Sequence, residues 1–219
     1  MRKLTTYLTG VLLVTIVYCT IISCKNKEAY PVLKNHFTIK EIKDLNKIND
    51  FFISEFLKST KENYKEALTM FMDSLKFNGQ FSSNDDLLFK KQLNLYSSIS
   101  ESTFNKIWEL NTTKSQPYLN EAYISAKTFG KYYSFLNEVG TKNKFAKLCY
   151  EKIEASGDYN PLFLDSYFYN NHNTFNYNDF YNQLIIAIYY LSAIDDYERA
   201  ISIKKGLEEQ LIKVKPQLN

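Results

Sequence analysis

Beyond residue 37 the apolar positions of this chain recur at three- and four-residue steps almost everywhere. Ile42, Leu45, Ile48, Phe52 and Phe56 make the first such stripe. An α-helix turns once in 3.6 residues, so these side chains share one face. Thr38, with Glu41 three residues on, has the pattern of a reciprocal N-terminal capping box and starts the helix there. Ser59 with Glu62 repeats the signal, and Tyr64, Leu68, Phe71 and Leu75 form the next stripe, closed by Asn78-Gly79. Ser83 and Asp86 open a third helix, with Leu88, Gln92, Leu95 and Ile99 along one side. In "YSSISEST" the hydroxyls compete for backbone hydrogen bonds, which predicts a break before Phe104, Ile107 and Trp108.

After Pro117, the positions Tyr118, Ala122, Ala126, Phe129, Tyr133 and Leu136 follow steps of 4, 4, 3, 4 and 3 and predict one long helix ended by Gly140. Phe145, Cys149 and Ile153 predict the next, ended by Gly157, and the short connection makes the two antiparallel. Pro161 opens a further helical piece, "PLFLDSYFY", followed by a polar loop, "NNHNTFNYND". Tyr181, Leu184, Ile185, Ile188 and Leu191 give a wide apolar face, which places that helix centrally. Asp195 with Glu198 predicts a separate last helix lined by Ala200, Ile203, Leu207, Leu211 and Val214 and ended by Pro216. No run shows convincing period-2 alternation. The expected fold is all-α, an irregular array or bundle of antiparallel helical hairpins in one domain over residues 38–219.

Two stretches resemble tetratricopeptide-type repeats. "DYERAI", from Asp196 to Ile201, is similar to the opening of a repeat's second helix, and "YEKIEAS" with Pro161 is similar to a repeat's end. The pattern then departs from the family: Lys204 stands where the repeat wants an aromatic, no proline closes the second unit, and the spacing drifts from about 34 residues.

The first residues follow another grammar. Met1-Arg2-Lys3 is basic, an apolar run extends from Leu4 to Ile22, and no acid occurs before Glu28. A basic start, an apolar middle and a small residue before a boundary form a secretory signal. Ser23 precedes Cys24, whereas the bulky Tyr18 precedes Cys19, so the cleavage boundary falls between Ser23 and Cys24. Ile21-Ile22-Ser23-Cys24 resembles the lipobox of bacterial lipoproteins. The resemblance covers the leader alone. It implies a signal peptide over 1–23, a lipidated Cys24 carrying a thioether-linked diacylglycerol, and an acylated amino group. Two or more chains anchor stably where one binds marginally. An uncleaved membrane anchor and a plain secretory signal are the other readings of the same run. Residues 24–37, with Pro31, are expected to be the tether between lipid and domain.

Composition narrows the partners. The chain holds 27 basic and 24 acidic residues, and without Arg2 and Lys3 the balance is +1. That is no electrostatic footprint for nucleic acid. Among the cysteines only Cys149 remains once Cys19 leaves with the leader and Cys24 carries lipid, so no internal disulfide is available. Cys149, between apolar neighbours, reads as a small buried hydrophobe.

The chemistry of catalysis is thinly represented. His36 and His172 have no second histidine at helical spacing and no cysteine pair, so no metal or other cofactor is expected. No Gly-x-Ser-x-Gly elbow and no glycine-rich phosphate loop occur, and the six glycines are isolated. Asp85-Asp86 and Asp195-Asp196 each stand at an expected helix start, where acids complement the dipole. A carboxylate pair facing across a cleft stays open as an alternative.

One stretch, "DSYFYNNHNTFNYNDFYNQ", interleaves Tyr and Phe with Asn. As a recognition surface it would use stiff rings and two-way amides, with Phe175, Tyr177, Asn171 and Asn173 as partner contacts. As a helical junction it would bury its flanking rings, Tyr167 and Tyr181 among them, and keep 171–176 in solvent. The junction reading is the favoured one. The functional expectation is a non-enzymatic lipoprotein of the bacterial envelope whose helical domain binds a protein, ahead of a glycan. Lys25 after the anchor leans it toward the outer membrane, facing the periplasm. The alternatives are an immunity-type lipoprotein that neutralises a toxin and an enzyme acting on envelope polymers through a carboxylate pair.

Overall fold

The computed structural model describes residues 30–78, 86–113, 121–157 and 161–214. The chain divides into two compact units, Met1–Asn35 and His36–Asn219. In the first, the Leu33 N–H reaches the Tyr30 carbonyl at 3.2 Å and the Lys34 N–H reaches that of Pro31 at 3.2 Å, leading into a single helical turn, α1 (Leu33–His36). The expected signal segment, residues 1–23, and Cys24 lie outside the described residues. Among the described residues no helix is long and apolar enough to cross a membrane.

The second unit is mainly helical. Its elements are α2 (Ile39–Phe51) running on into a π-helical turn (Phe52–Phe56), α3 (Tyr64–Asn78), α4 (Asp86–Ser98) and α5 (Glu101–Ile107). A β-hairpin follows, β1 (Trp108–Thr113) and β2 (Glu121–Ala126), then α6 (Lys131–Gly140), α7 (Lys144–Ser156), α8 (Pro161–Asn171) and α9 (Phe180–Val214).

Local signals set several boundaries as the sequence indicates. Thr38 caps α2 with the full reciprocal box. The break in the serine-rich run is real: Ser100 ends the extended link and caps α5 by accepting the Thr103 N–H. Asn143 caps α7, and Gly157 ends it in the left-handed conformation. The end of the π turn has a less usual cap. Lys58 takes the left-handed conformation at φ 49°, while the Leu57 N–H reaches the Phe52 carbonyl at 2.9 Å and the Ser59 N–H reaches that of Ile53 at 3.0 Å. Ser59 is thus part of the preceding helix's end rather than the cap of α3.

Three expectations need correction. Residues 121–126 form a strand, not the middle of a helix. They pair antiparallel with β1 from Trp108↔Ala126 to Thr113↔Glu121. Ile124 and Ala126 face the core with Trp108, so the alternation is present at the end of the strand. Gly130, at φ 83°, then redirects the chain into α6, a conformation that a side chain would strain. Secondly, α9 is one continuous helix of 35 residues, about 52 Å long. Asp195 lies inside it and caps nothing. "DYERAI" is therefore mid-helix, where a tetratricopeptide unit would begin a new one. Thirdly, the compact unit starts at His36, inside the stretch expected to be tether, because Phe37 is buried against Phe135, ring centroids 5.7 Å apart, and His36 finds a carboxylate.

The core is organised around α9. Residues 182–191 are buried at every position, so the helix is covered all round. Leu45, Ile48 and Phe52 of α2 are buried, and the Phe52 ring stacks on Tyr190 at 6.0 Å. β2 packs along α9 as well. Its fit is polar as well as apolar: Trp108 Nε1 donates to Ser192 Oγ at 2.9 Å, and the Ile124 N–H donates to Asp195 Oδ1 at 3.1 Å. α6 and α7 form a tight antiparallel hairpin. A Cβ on Gly140 would stand 2.8 Å from Lys147 Cα, so only glycine permits this approach.

Candidate functional site

Several ionisable side chains converge at the beginning of the helical unit, where α2, α5 and α6 meet. Glu41 and Asp44 sit three residues apart on α2, and both are nearly fully buried, at 2% and 3% exposure. Carboxylates at that depth need donors on their oxygens. Glu41 Oε2 accepts from the Thr38 N–H at 2.7 Å and from Lys106 Nζ at 2.7 Å, and Glu41 Oε1 accepts from Ser102 Oγ. Burial works to raise the Glu41 carboxyl, but Lys106, Ser102 and Thr38 outweigh it and hold it down at about 2. Asp44 Oδ2 accepts from the Ser100 N–H at 3.0 Å, from Ser100 Oγ at 2.8 Å and from Thr103 Oγ1 at 2.9 Å. Burial again pushes upward, and these donors with Lys47 bring the group below its usual range.

His36 adjoins this cluster. Its Nε2 lies 2.7 Å from Glu138 Oε2 on α6, and Lys106 Nζ donates to the His36 carbonyl at 3.2 Å. The imidazole is nine-tenths buried, edge-on to Phe135 at 6.1 Å, and its Nδ1 is buried without a hydrogen-bond partner. Sequence reading placed His36 in a tether and gave no signal for this contact, since Glu138 is 102 positions away.

Chemically, the cluster fastens α5 and the chain's entry point onto α2. The hydroxyl of Ser102 is bound to a carboxylate, not to the imidazole, and apart from Lys47 on α2 itself the Glu41 and Asp44 contacts above go to a cap or a neighbouring helix. Asp195 is used similarly. It is fully buried, and Arg199 Nε donates to its Oδ1 at 2.6 Å and Nη2 to its Oδ2 at 3.2 Å. Burial dominates here and raises its carboxyl above the usual range, against the pull of Arg199 and the Ile124 N–H. Asp196 is exposed while Asp195 is buried, so these neighbours do not share a cleft. Asp85 lies outside the described residues. Cys149 is buried, and burial pushes its thiol far up. Among the described residues no group of three or more His, Cys, Asp or Glu side chains could hold a metal ion.

The aromatic–asparagine stretch is built differently from a surface of exposed rings. Phe175 and Tyr177 are 7% and 8% exposed. Phe175 lies edge-on to Phe145 at 5.2 Å, Phe168 at 4.7 Å and Tyr177 at 4.9 Å. Neither ring offers a face to a partner, which corrects their expected role as contacts. The expectation of a fully solvated 171–176 tip fails at Phe175 for the same reason. A large ring is worth about 1.5–3 kcal/mol when buried, and α7 and α8 leave a slot for it. Tyr167 and Tyr181, expected to be buried, are half-buried. Amides then fix the turn. Asn182 Nδ2 donates to the Asn176 carbonyl at 3.0 Å, Gln183 Nε2 to that of Tyr177 at 2.8 Å, and Asn143 Nδ2 to Asn182 Oδ1 at 2.7 Å. Asn171 is half-buried and donates to the Tyr167 carbonyl at 2.9 Å, while Asn173 is exposed.

Among the described residues the fold is thus an all-α assembly with one inserted β-hairpin. No protein-family model, curated protein or solved structure matches this chain.

Proposed function

We propose that this is a membrane-anchored lipoprotein of the bacterial cell envelope whose helical domain acts by binding another macromolecule, a protein ahead of a glycan. The observation that carries the reading is the leader: a basic start, an apolar run and Ile21-Ile22-Ser23-Cys24. The non-catalytic part of the reading draws support from the way the buried acids are used. Glu41, Asp44 and Asp195 have their oxygens occupied by caps, lysine, arginine and backbone donors, which is the work of holding helices together. The exposed parts of the 171–178 turn, Asn173 among them, remain available to a partner, on a backbone held by Asn182 and Gln183.

Mass spectrometry of the mature amino terminus tests the anchor. The expected product starts at Cys24 and carries acyl chains. An intact leader, or an unmodified terminus elsewhere, overturns the reading. Crosslinking on intact membranes followed by capture of this chain then tests binding, with a specific co-captured macromolecule as the expected result.

A further inference from the structure

The β-hairpin has one guarded edge and one open edge. β1 and β2 pair from Trp108↔Ala126 to Thr113↔Glu121 with no residue skipped, so no bulge bends the ribbon. The Lys127 N–H donates to the Ile107 carbonyl at 2.7 Å, which fixes the alternation. Glu109↔Ser125 and Asn111↔Tyr123 exchange the ladder bonds, and the backbone groups of Trp108, Leu110, Thr112 and Ile124 point outward. On β2 the outward Ile124 N–H is taken by Asp195 of α9 at 3.1 Å, and α9 packs along that strand. On β1 the Trp108 N–H is taken by the Phe104 carbonyl at the end of α5. Beyond it, among the described residues, the Leu110 N–H and carbonyl and the Thr112 N–H meet no protein partner.

The side chains agree with the backbone. Leu110 is 62% exposed, although it stands opposite Ile124, which is 5% exposed, on the same face of the hairpin. Edge strands are ordinarily guarded by lysine, proline or a bulge, and β1, "WELNTT", has none of these. We propose that the open edge of β1 pairs antiparallel with β1 of a second copy of this chain, about a two-fold axis at Leu110, so that one sheet runs through both copies.

The charges and the exposed leucine select this occupant and this register. A strand that pairs with itself must tolerate its own charges, and Glu109 is the only charged residue of β1. Centred on Leu110, the pairing sets each Glu109 opposite the other copy's Asn111, so no two carboxylates meet. Centred on Glu109, it would oppose two carboxylates, which is unfavourable. Centred on Asn111, it would set each Leu110 opposite a threonine. Only the Leu110 register brings the two exposed leucines together, where each covers the other. In it, Leu110 exchanges both backbone bonds with its counterpart, and each Thr112 N–H donates to the other copy's Trp108 carbonyl. The closed two-fold leaves no further open β1 edge, so the pairing stops at two copies. The contact is small, and the dimer is of the weak, concentration-dependent kind. It stands whether or not Cys24 carries lipid.

Disulfide trapping on the full-length protein tests this. Two Cα atoms in such a bonded pair lie about 5.5 Å apart, within the range a disulfide spans. Under mild oxidation, Leu110→Cys should give at least tenfold more covalent dimer than Leu87→Cys, a control of matching exposure at 60%. The wild-type chain, with its own three cysteines, sets the background. Adding Asn111→Glu to Leu110→Cys opposes carboxylates across the axis and should cut the trapped dimer severalfold; adding Glu109→Lys as well should restore it. Equal trapping at positions 110 and 87 overturns the pairing, as does a Leu110→Cys chain no more dimeric than wild type. A trapped species that joins this chain to a different protein overturns the second copy as occupant. Trapping that ignores the charge changes overturns the register.

Discussion

Asp195 holds Arg199 one turn further along α9 and, through the same Oδ1, the backbone N–H of Ile124 in β2. The hairpin is therefore fixed to the central helix by a buried charge. Asp195→Asn keeps an acceptor for Ile124 but leaves the guanidinium without its counter-charge. Arg199 is 29% exposed, so water recovers part of the loss, and the expected destabilisation is about 2 kcal/mol. Urea unfolding of the two proteins measures it. The folded-state value of Asp195 is raised, so the folded protein binds its proton more readily than the unfolded chain. This group's contribution to stability grows as pH falls through that raised value toward 3.8. Without it, the acid limb of the variant's stability profile should be steeper than that of wild type.

Glu41 has the opposite sign. Its folded value is about 2 against 4.5 unfolded. Its contribution is complete above 4.5 and is lost as pH falls toward about 2; a shift of this size corresponds to about 3 kcal/mol. Asp44 is lowered too and adds to the same acid limb. Glu41→Gln should flatten the loss of stability between pH 5 and pH 2 (about that range, by the linkage relation). Unfolding curves at a series of pH values check this, and an unchanged slope would refute it.

Burial of Phe175 and Tyr177 makes a sharp contrast with Asn173. Phe175→Ala removes a ring packed edge-on against three others and should cost about 3–4 kcal/mol. Asn173→Ala, at an exposed position, should leave the melting temperature within error. If the turn contacts a partner, the Asn173 variant weakens capture while the fold stays intact.

Lys58 offers a gain of stability. A side chain at φ 49° meets the steric penalty of the left-handed region, and Lys58 is exposed. Lys58→Gly relieves that strain, at some expense in chain entropy, and should stabilise by about 0.5–1 kcal/mol. Thermal unfolding would show the rise.

What was legible in the sequence was what neighbouring residues decide. The Thr38 box, the break at Ser100, the Gly157 stop and the α6–α7 hairpin depend on residues a few positions apart. The hairpin strand was hidden because Ala122, Ala126 and Phe129 also fit a helical step, and small alanines give weak alternation. The unbroken α9 was hidden for another reason. Asp195 and Glu198 have the spacing of a cap, but the N–H that Asp195 accepts belongs to Ile124, 71 positions away. The His36–Glu138 contact, like the burial of Phe175, is set by tertiary packing that no local pattern encodes.

The central helix is made after the elements it covers. Gln183 accepts from Asn49 across 134 positions, and Tyr190 stacks on Phe52. A growing chain that has delivered everything up to residue 179 still lacks the surface that Leu45, Ile48 and Phe52 are shaped to cover. Until residues 180–191 arrive, those side chains stay in water, and their burial waits on loop closure over more than a hundred residues. The face of α2 that carries Leu45, Ile48 and Phe52 therefore closes only after residues 180–191 have been made.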